Sequence, residues 1–285
     1  MKIKDTKRYI YGLAGYPLGH SMSPFIHKAL FEISGIDASY GLVETPPEEL
    51  GNSFKNTLSA LRGFNVTIPH KTEIIKYLDE LSPRAELFGA VNTVDIREDK
   101  TVGHNTDCAG FLSSLQSADI ELGGNVLLLG SGGVARMIAF EAVLADADLT
   151  LAVRPDDIPQ AEEIKKEIKD KLSKDCKIIL LDEAKGGYDL VINGTPVGMF
   201  PKVDACPVKK EVIQTSKAVF DVIYNPRETV FIKYAKQAGI KYCGGLSMLV
   251  WQAAVAQEIW NGVKFSNEDI DKVIDLTQKE LEKNE

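Results

Sequence analysis

The segment Asn65-Val-Thr-Ile-Pro-His-Lys71 gathers the side chains that could best perform chemistry. Its β-branched residues alternate with polar ones, which predicts a strand, and Pro69 should end that strand because proline cannot donate to a ladder. Asn65, Thr67 and Lys71 then lie towards the carboxyl end of the strand, where α/β domains bind ligands. A lysine at this position can hold or relay a proton. The alternative is a polar strand-to-helix turn with a solvated lysine.

Asp107 is the carboxylate that could work with Lys71. The sequence Asn105-Thr-Asp107 precedes a helix-like run from Cys108 to Leu115. A carboxylate that faces a partly desolvated lysine across a cleft can help it hold and relay a proton. Spacing alone does not bring the two side chains together, and a plain helix N-cap is the alternative for Asp107.

Ser21 and Ser23 are two hydroxyls at the start of an amphipathic helix that runs from Pro24 to about Ile33. Ser23 is well placed as the N-cap, and proline suits the first helical position. Free backbone N–H groups and the positive end of the helix dipole could also bind a carboxylate or a phosphate here. The alternative is that both serines only cap the helix.

A glycine-rich turn follows the apolar run from Val126 to Leu129. Its spacing fits the pattern G-x-G-x-x-G/A, with a predicted strand before it and a helix after it. Glycines at these positions allow a tight turn and the close approach of a pyrophosphate, which would lie at the helix N-terminus. The pattern predicts a dinucleotide site formed by Gly130, Ser131, Gly132, Gly133, Val134 and Ala135.

The next predicted strand, Asp148 to Val153, should end beside the ribose of the adenosine. NAD enzymes usually have Asp or Glu at this point, whereas this chain has Arg154 followed by Pro155. Arg154 could stack on adenine and pair with a 2′-phosphate, which favours NADP. Asp156 and Asp157 would repel that phosphate if they faced it, and an exposed loop arginine is the alternative.

Strands and helices alternate along the chain, which predicts an α/β fold. A single helix is expected from Pro47 to Leu61, and Gly123-Gly124 is a plausible hinge before the second domain. After Gly245 the chain returns to helices. The sequence from Ser266 to Asp269 has the pattern of a capping box that opens the last of them.

Composition limits the kinds of partner. The 285 residues, 44% of them hydrophobic, can form two domains, and the net charge of −8 argues against general nucleic-acid or membrane-surface binding. There is no apolar run of about 18 residues, and because the segment from Met1 to Arg8 is polar we expect no secretory signal there. His20 and His27 show no metal-ligand partner. The scattered cysteines indicate free thiols in a reducing cytoplasm rather than a zinc or disulfide framework: Cys108, Cys176, Cys206 and Cys243.

Together these motifs resemble the shikimate dehydrogenase family over nearly the whole chain. The matching segments are, in order, Gly15-Tyr-Pro17 with His20 to Pro24, Asn65 to Lys71, Gly89 to Thr93, Asn105 to Asp107, the Gly130 loop, Asn193 to Met199, Asp221 to Pro226 and Gly245 to Gln252. The resemblance implies an N-terminal α/β substrate domain and a Rossmann-like NADP-binding domain with a cleft between them. We expect residues 1–108, completed by the returning helices of 245–285, to form the first domain, and residues 109–244 the second.

The resemblance also implies an activity and a role for each site residue. The activity is the reversible NADPH-dependent reduction of 3-dehydroshikimate to shikimate in aromatic amino acid (chorismate) biosynthesis. The catalytic pair would be Lys71 and Asp107. The substrate residues would be Ser21 and Ser23 for the carboxylate, Asn65, Thr67, Asn92, Asp107 and Gln252 for the hydroxyls, and Tyr224 to close the site. The cofactor residues would be the Gly130–Ala135 loop, Arg154, Thr195, Gly245 and Met248.

The chain departs from the family pattern at two places. Val153-Arg154-Pro155 replaces the usual Asn-Arg-Thr, and Ser247 stands where a second glycine is frequent. One rival hypothesis is therefore a quinate/shikimate dehydrogenase that uses NAD as well as NADP. Another is a non-catalytic nucleotide-binding sensor on the same fold. We expect a small-molecule partner and no metal, and either a monomer or a homodimer.

Overall fold

The computed structural model describes residues 9–19, 21–98 and 100–283. It divides into two compact units, a first unit of Met1–Ala109 with Val250–Glu285 and a second unit of Gly110–Leu249. The unit boundaries are thus at Ala109 and Leu249, the second of them later than the expected end at residue 244. His20, the polar segment 1–8 and Asp99 of a predicted turn lie outside the described residues.

The first unit is built on a six-stranded mixed sheet. Its strands are β1 (Tyr9–Gly15), β2 (Ala38–Glu44), β3 (Gly63–Val66), β4 (Glu80–Leu81), β5 (Thr93–Arg97) and β6 (Lys100–His104). They lie in the order β2-β1-β3-β5-β6-β4. β1 is parallel to β2 and β3, whereas β5 runs antiparallel to β3 and β6. The helices up to the second unit are α1 (Ser23–Ser34), α2 (Leu50–Asn56), α3 (Pro83–Phe88) and α4 (Thr106–Ser117).

The expected single helix from Pro47 to Leu61 is wrong. The structure has a 3-10 turn at Pro47–Glu49, then α2, then a second 3-10 turn at Leu58–Ala60. The break is at Thr57, whose backbone (φ −132°, ψ −57°) has left the helical region. Four weak helix formers lie in this segment, Gly51, Asn52, Asn56 and Thr57, and two of them are at the break, where the local preference is too low to continue the helix.

The second unit contains a six-stranded parallel sheet. Its strands are β7 (Asn125–Leu129), β8 (Asp148–Val153), β9 (Lys177–Leu180), β10 (Leu190–Asn193), β11 (Ala218–Asp221) and β12 (Lys241–Gly244). The helices α5 (Gly133–Leu144), α6 (Ile158–Leu172), α7 (Lys210–Gln214) and α8 (Val230–Ala238) accompany them. The order β9-β8-β7-β10-β11-β12 is that of a Rossmann sheet. All strands are parallel; from β7 the chain adds strands first on one side, up to β9, and then on the other, from β10 to β12.

Gly123 and Gly124 lie inside the second unit rather than at a unit boundary. Gly124 has a positive φ of 64°, and its carbonyl accepts the N–H of Asp148 at 2.8 Å. The pair therefore forms the turn into β7. The hinge expected there is wrong, because the first boundary between units falls within α4.

Two helices close the chain, α9 (Gly245–Asn261) and α10 (Asn267–Glu282). From α9, Trp260 stacks on Tyr11 of β1 with ring centroids 4.7 Å apart, and its Nε1 donates to the carbonyl of Val94 at 2.9 Å. Ser266 and Asp269 form the predicted capping box, which is thereby confirmed. In the part of the chain that the structure describes, no helix combines the length and apolar character needed to cross a bilayer.

Candidate active site

The structure brings Lys71 and Asp107 together. The Nζ atom of Lys71 donates to Oδ2 of Asp107 at 2.6 Å, and the two side chains are 31% and 20% exposed. Lys71 lies in the turn after β3, and Asp107 in the first turn of α4. The other oxygen, Oδ1, accepts Nδ2 of Asn92 at 2.8 Å. An ammonium held by an anchored carboxylate, with part of its surface open to solvent, is suited to proton transfer.

A network of buried polar side chains holds Asn92, and through it Asp107, in place. Oδ1 of Asn92 accepts the backbone N–H of Thr106 at 2.6 Å, which fixes the start of α4. Nδ2 of Asn65 donates to the carbonyl of Asn92 (3.1 Å) and to Oγ1 of Thr93 (2.9 Å). The hydroxyls of Thr93 and Thr106 lie 3.0 Å apart. Such a connected network in a low-dielectric interior holds its members in one arrangement.

Tyr40 extends the network towards α1. Its hydroxyl donates to Oδ1 of Asn65 at 2.8 Å, and its ring stacks on His27 with centroids 4.0 Å apart. Burial raises the pKa of Tyr40 well above its ordinary value, and the hydrogen bond with Ser23 opposes this. Burial also lowers the pKa of His27 to about 3, although a hydrogen bond with Asn65 acts the other way. His27 is therefore a neutral, structural residue.

Three of these network residues were not found from the sequence: Tyr40, Thr93 and Thr106. Thr93 and Thr106 stand inside motifs that had been singled out, beside Asn92 and Asp107. A threonine next to an implied ligand residue was the available signal. No sequence signal pointed to Tyr40, because it lies in β2, away from every motif in sequence.

The serine pair lies at the start of α1, but not in the expected arrangement. Ser23 is the first helical residue, and the N-cap is Met22, whose side chain makes no capping bond. Oγ of Ser21 instead accepts the N–H of Ser23 at 3.3 Å. The expectation that Ser23 is the N-cap is therefore wrong. Both serines are partly exposed as residues, beside a helix N-terminus that favours anions.

The strand predicted through Ile68 ends at Val66. Thr67 starts a turn, because its carbonyl accepts the N–H of His70 at 2.9 Å. Ile68 is consequently 73% exposed, and His70 is anchored by its Nε2, 2.6 Å from the carbonyl oxygen of Thr45. This turn redirects the chain so that Lys71 reaches Asp107.

In the second unit, the glycine-rich turn joins β7 to α5. Gly130 has φ +96°, and a Cβ atom there would lie 2.9 Å from Thr195. Gly132 and Gly133 have open space where side chains would be, and the N-cap of α5, Gly132, provides no side-chain cap. Exposed backbone N–H groups at an uncapped helix start fit a pyrophosphate.

The other members of the loop differ in exposure. Ala135 is fully buried, and its Cβ lies 3.0 Å from the position that a Cβ of Gly194 would take, so α5 packs closely on the end of β10. Oγ of Ser131 donates to Gln160 at 3.1 Å, whereas Val134 is 37% exposed. The loop can thus approach a dinucleotide with its backbone.

Arg154 follows β8, the strand next to β7, and its side chain is 70% exposed. Its guanidinium makes two hydrogen bonds to Asp157, Nε to Oδ2 at 2.7 Å and Nη2 to Oδ1 at 3.1 Å. The hydrogen bonds with Arg154 lower the pKa of Asp157, and those with Asp157 raise the pKa of Arg154. A 2′-phosphate would have to compete with this carboxylate.

The remaining predicted residues lie beyond β10 and β11. Oδ1 of Asn193 accepts both the N–H (3.0 Å) and the hydroxyl (2.7 Å) of Thr195. Tyr224 is 38% exposed, and a Cβ at Gly245 would lie 2.1 Å from the carbonyl oxygen of Val222. Met248 and Gln252 are both in α9, Met248 in the second unit and Gln252 in the first.

The parallel sheet, its order and its glycine-rich turn define the class of α/β dinucleotide-binding proteins. A family model described as the shikimate dehydrogenase substrate binding domain matches residues 13–94. A shikimate dehydrogenase (NADP(+)) of Methanocaldococcus jannaschii is 41% identical over 284 residues, which cover 94% of this chain and 99% of that protein. The chain belongs to the shikimate dehydrogenase family.

Two solved structures illustrate the similarity. One is a shikimate dehydrogenase in complex with NADP+, 39% identical, with a TM-score of 0.86 over 95% of this chain and 96% of that chain. The other is the Listeria monocytogenes shikimate 5-dehydrogenase in complex with shikimate and NAD. It is 30% identical and has a TM-score of 0.86 over 97% of this chain and 98% of that chain. The family resemblance and the α/β fold with two sheets are thereby confirmed.

Proposed function

We propose that this protein catalyses the reversible NADPH-dependent reduction of 3-dehydroshikimate to shikimate. The observation that carries the proposal is the Lys71–Asp107 pair, held by Asn92 in a buried network. The M. jannaschii relative, named a shikimate dehydrogenase (NADP(+)), supports it. We assign substrate binding to the first unit and NADP binding to the second.

The proposed chemistry follows from the charges at the site. NADPH, when bound, supplies a hydride to the ketone carbon of the substrate. Negative charge then develops on the ketone oxygen, where Lys71 donates a proton or a charge-assisted hydrogen bond. General acid catalysis of this kind contributes about 10²–10⁴-fold in rate. Asp107 orients Lys71 through the 2.6 Å contact between its Oδ2 and the lysine Nζ.

The polar residues of the first unit can bind the rest of the substrate. We assign the substrate carboxylate to Ser21 and Ser23 at the start of α1, where the helix dipole favours an anion. The ring hydroxyls are assigned to Asn65, Thr67, Asn92, Asp107 and Gln252. Tyr224 is assigned to closing the site.

For the cofactor, we assign the pyrophosphate to the uncapped start of α5, and the 2′-phosphate to Arg154. Thr195, Gly245 and Met248 are assigned to the nicotinamide half. The Arg154–Asp157 ion pair is a reason to test the cofactor choice directly, because a carboxylate beside the arginine weakens the preference for a phosphate. The L. monocytogenes relative, solved with NAD, favours the same test.

The test is the formation of reduced nicotinamide by the purified protein with shikimate or quinate, each with NADP+ or NAD+. Activity with shikimate and NADP+, and little with the other combinations, is the expected result. Comparable rates with quinate or NAD+ would move the assignment to a quinate/shikimate dehydrogenase. Cofactor binding without any turnover would instead favour a nucleotide-binding sensor, which has no need for the Lys71–Asp107 pair.

We also propose that the protein acts in the cytoplasm, as a monomer or a homodimer. All four cysteines are free, and three of them are buried. Unpaired thiols are typical of proteins in reducing compartments. Sedimentation velocity at micromolar concentration would distinguish a monomer from a dimer.

A further inference from the structure

Asp221 is a buried carboxylate to which the proposed chemistry gives no role. It is the last residue of β11 and has no exposed surface. Three donors converge on it. Oδ1 accepts Nδ2 of Asn193 at 3.0 Å and the N–H of Ile223 at 3.1 Å, and Oδ2 accepts the hydroxyl of Thr229 at 2.6 Å.

The donor Asn193 connects Asp221 to Thr195. Asn193 is the last residue of β10 and is paired in register with Asp221. While its amide nitrogen donates to Asp221, its oxygen accepts both donors of Thr195. The carboxylate, together with the carbonyl of Val197 to which Nδ2 also donates at 3.3 Å, fixes which way the Asn193 amide faces. An amide turned the other way would present its nitrogen to Thr195 and lose both of those bonds.

The donor Ile223 connects Asp221 to two further site residues. Ile223 precedes Tyr224, and its carbonyl accepts the N–H of Gly245 at 3.1 Å. The approach of Gly245 to this segment is so close that any side chain there would clash. Fixing the backbone of Ile223 therefore sets the positions of Tyr224 and Gly245 together.

The donor Thr229 ties the far end of the same loop. Its hydroxyl donates to Asp221 and accepts the N–H of Ile232, so it also caps α8. The loop between β11 and α8 is consequently held at both ends by one carboxylate. Burial raises the pKa of Asp221 to about 6, and the three hydrogen bonds oppose that rise. Burial raises the pKa of Cys206, a half-buried thiol, and the charge of Asp221 raises it further.

We propose that Asp221 is a positioning residue for the nicotinamide half of the cofactor site. It acts through Asn193 and Ile223 and does not touch the cofactor itself. This proposal rests on the assignment of Thr195 and Gly245 to the nicotinamide half. An apolar side chain of similar volume could fill the space, but it could not accept three hydrogen bonds from three segments.

The test compares two ligands of the purified protein by calorimetry. NADP+ uses the whole site, whereas adenosine 2′,5′-bisphosphate uses only the adenosine half. In Asp221→Ala we expect the affinity for NADP+ to fall by about tenfold or more, since three donors lose their acceptor. We expect the affinity for the bisphosphate to stay within about threefold. A general loss of structure would weaken both ligands alike.

Two further variants sharpen the test. Asp221→Asn keeps an oxygen that can face Asn193 and Ile223, so it should restore most of the NADP+ affinity. Ser216→Ala is the matched control, because Ser216 is a buried hydroxyl that bonds to Ile213 and Ala218 around the opposite end of β11. It should change the affinity for neither ligand.

The contrary results are equally specific. If Asp221→Ala folds and binds NADP+ as the native protein does, or weakens both ligands equally, the proposal is wrong. If Asp221→Ala does not fold, Asn193→Ala removes the link from Asp221 to Thr195, together with the 3.3 Å bond to the Val197 carbonyl, and leaves the bonds of Asp221 to Ile223 and Thr229. Unchanged NADP+ affinity in that variant overturns the proposal. The proposed function fails separately, if the native protein binds NADP+ but does not oxidise shikimate.

Discussion

Replacing Lys71 by methionine removes the ammonium group and keeps most of the length of the side chain. Asp107 then retains one strong partner, Nδ2 of Asn92 at 2.8 Å, and is 20% exposed, so water can solvate its free oxygen. The variant should therefore keep its fold and its substrate hydroxyl contacts. It should lose the group that meets the developing charge.

The expected magnitudes separate catalysis from stability. Loss of a general acid lowers kcat by about 10²–10⁴-fold. The ion pair lies at a partly exposed position, where such pairs contribute about 0–1 kcal/mol to the free energy of unfolding. The melting temperature should then fall by at most about 4 °C. A large fall in kcat with a small change in Tm is the expected signature.

The assay follows the formation of reduced nicotinamide while shikimate is oxidised. The matched control is Lys76→Met. Lys76 is in the 3-10 turn after Lys71, is mainly exposed and pairs with Glu73, so its loss should leave kcat unchanged. If Lys71→Met keeps kcat within about threefold of the native value, Lys71 only binds substrate and the acid–base assignment is refuted.

Three other predictions follow from local geometry. Asp157→Ala should release Arg154 and raise the affinity for NADP+ several-fold relative to NAD+, measured by calorimetry. The pKa of Asp221 is raised from 3.8 to about 6, so its contribution to stability is present below about pH 4 and is lost as the pH rises to about 6. Asp221→Asn should remove that pH-dependent loss, which is measured as Tm against pH. Gly63→Ala should reduce the free energy of unfolding in urea by about 1–3 kcal/mol, because the new Cβ would lie 2.4 Å from Trp260.

Each of these has a contrary outcome. Equal gains for NADP+ and NAD+ would show that Asp157 does not act through the 2′-phosphate. A Tm difference between Asp221→Asn and the native protein that does not change between pH 4 and 6 would contradict the raised pKa. Gly41→Ala is the control for Gly63, because a Cβ at Gly41 meets open space in the same sheet. If the two glycine variants lose equal stability, the clash with Trp260 is not the cause.

The glycine-rich turn of the second unit was predictable because its signal is local. A buried strand, a glycine-rich turn and a helix follow one another within one short segment, and the residue types alone require a tight turn and a close helix packing at Gly130 and Ala135. The structure has that strand, turn and helix where the sequence placed them.

The Lys71–Asp107 contact could not be derived in the same way. The two residues are 36 positions apart, and they meet because β5 and β6 fold back antiparallel beside β3. That pairing brings Asn92 and Thr106 to the same end of the sheet as Lys71. The residue types suggested the pairing as one of two alternatives, and the family resemblance favoured it.

Local sequence patterns did not predict where β3 ends, which residue caps α1, or that Tyr40 belongs to the network. Alternation of apolar residues extended β3 to Ile68, but the bond between His70 and Thr67 closes a turn there instead. A serine before a proline indicated an N-cap at Ser23, but the chain enters α1 one residue earlier. Tyr40 is a network residue only because β2 and β3 both flank β1.

The stacked rings of His27 and Tyr40 have a consequence for kinetics. His27 stays neutral above about pH 3, and Tyr40 keeps its proton well into the alkaline range. The other network members that bridge them to Asp107 are amides and hydroxyls, which do not ionise: Asn65, Asn92, Thr93 and Thr106. None of these network residues therefore changes its charge across the pH range in which rates are measured. A pH–rate profile would report the ionisation of the reacting groups and not that of the residues that hold them.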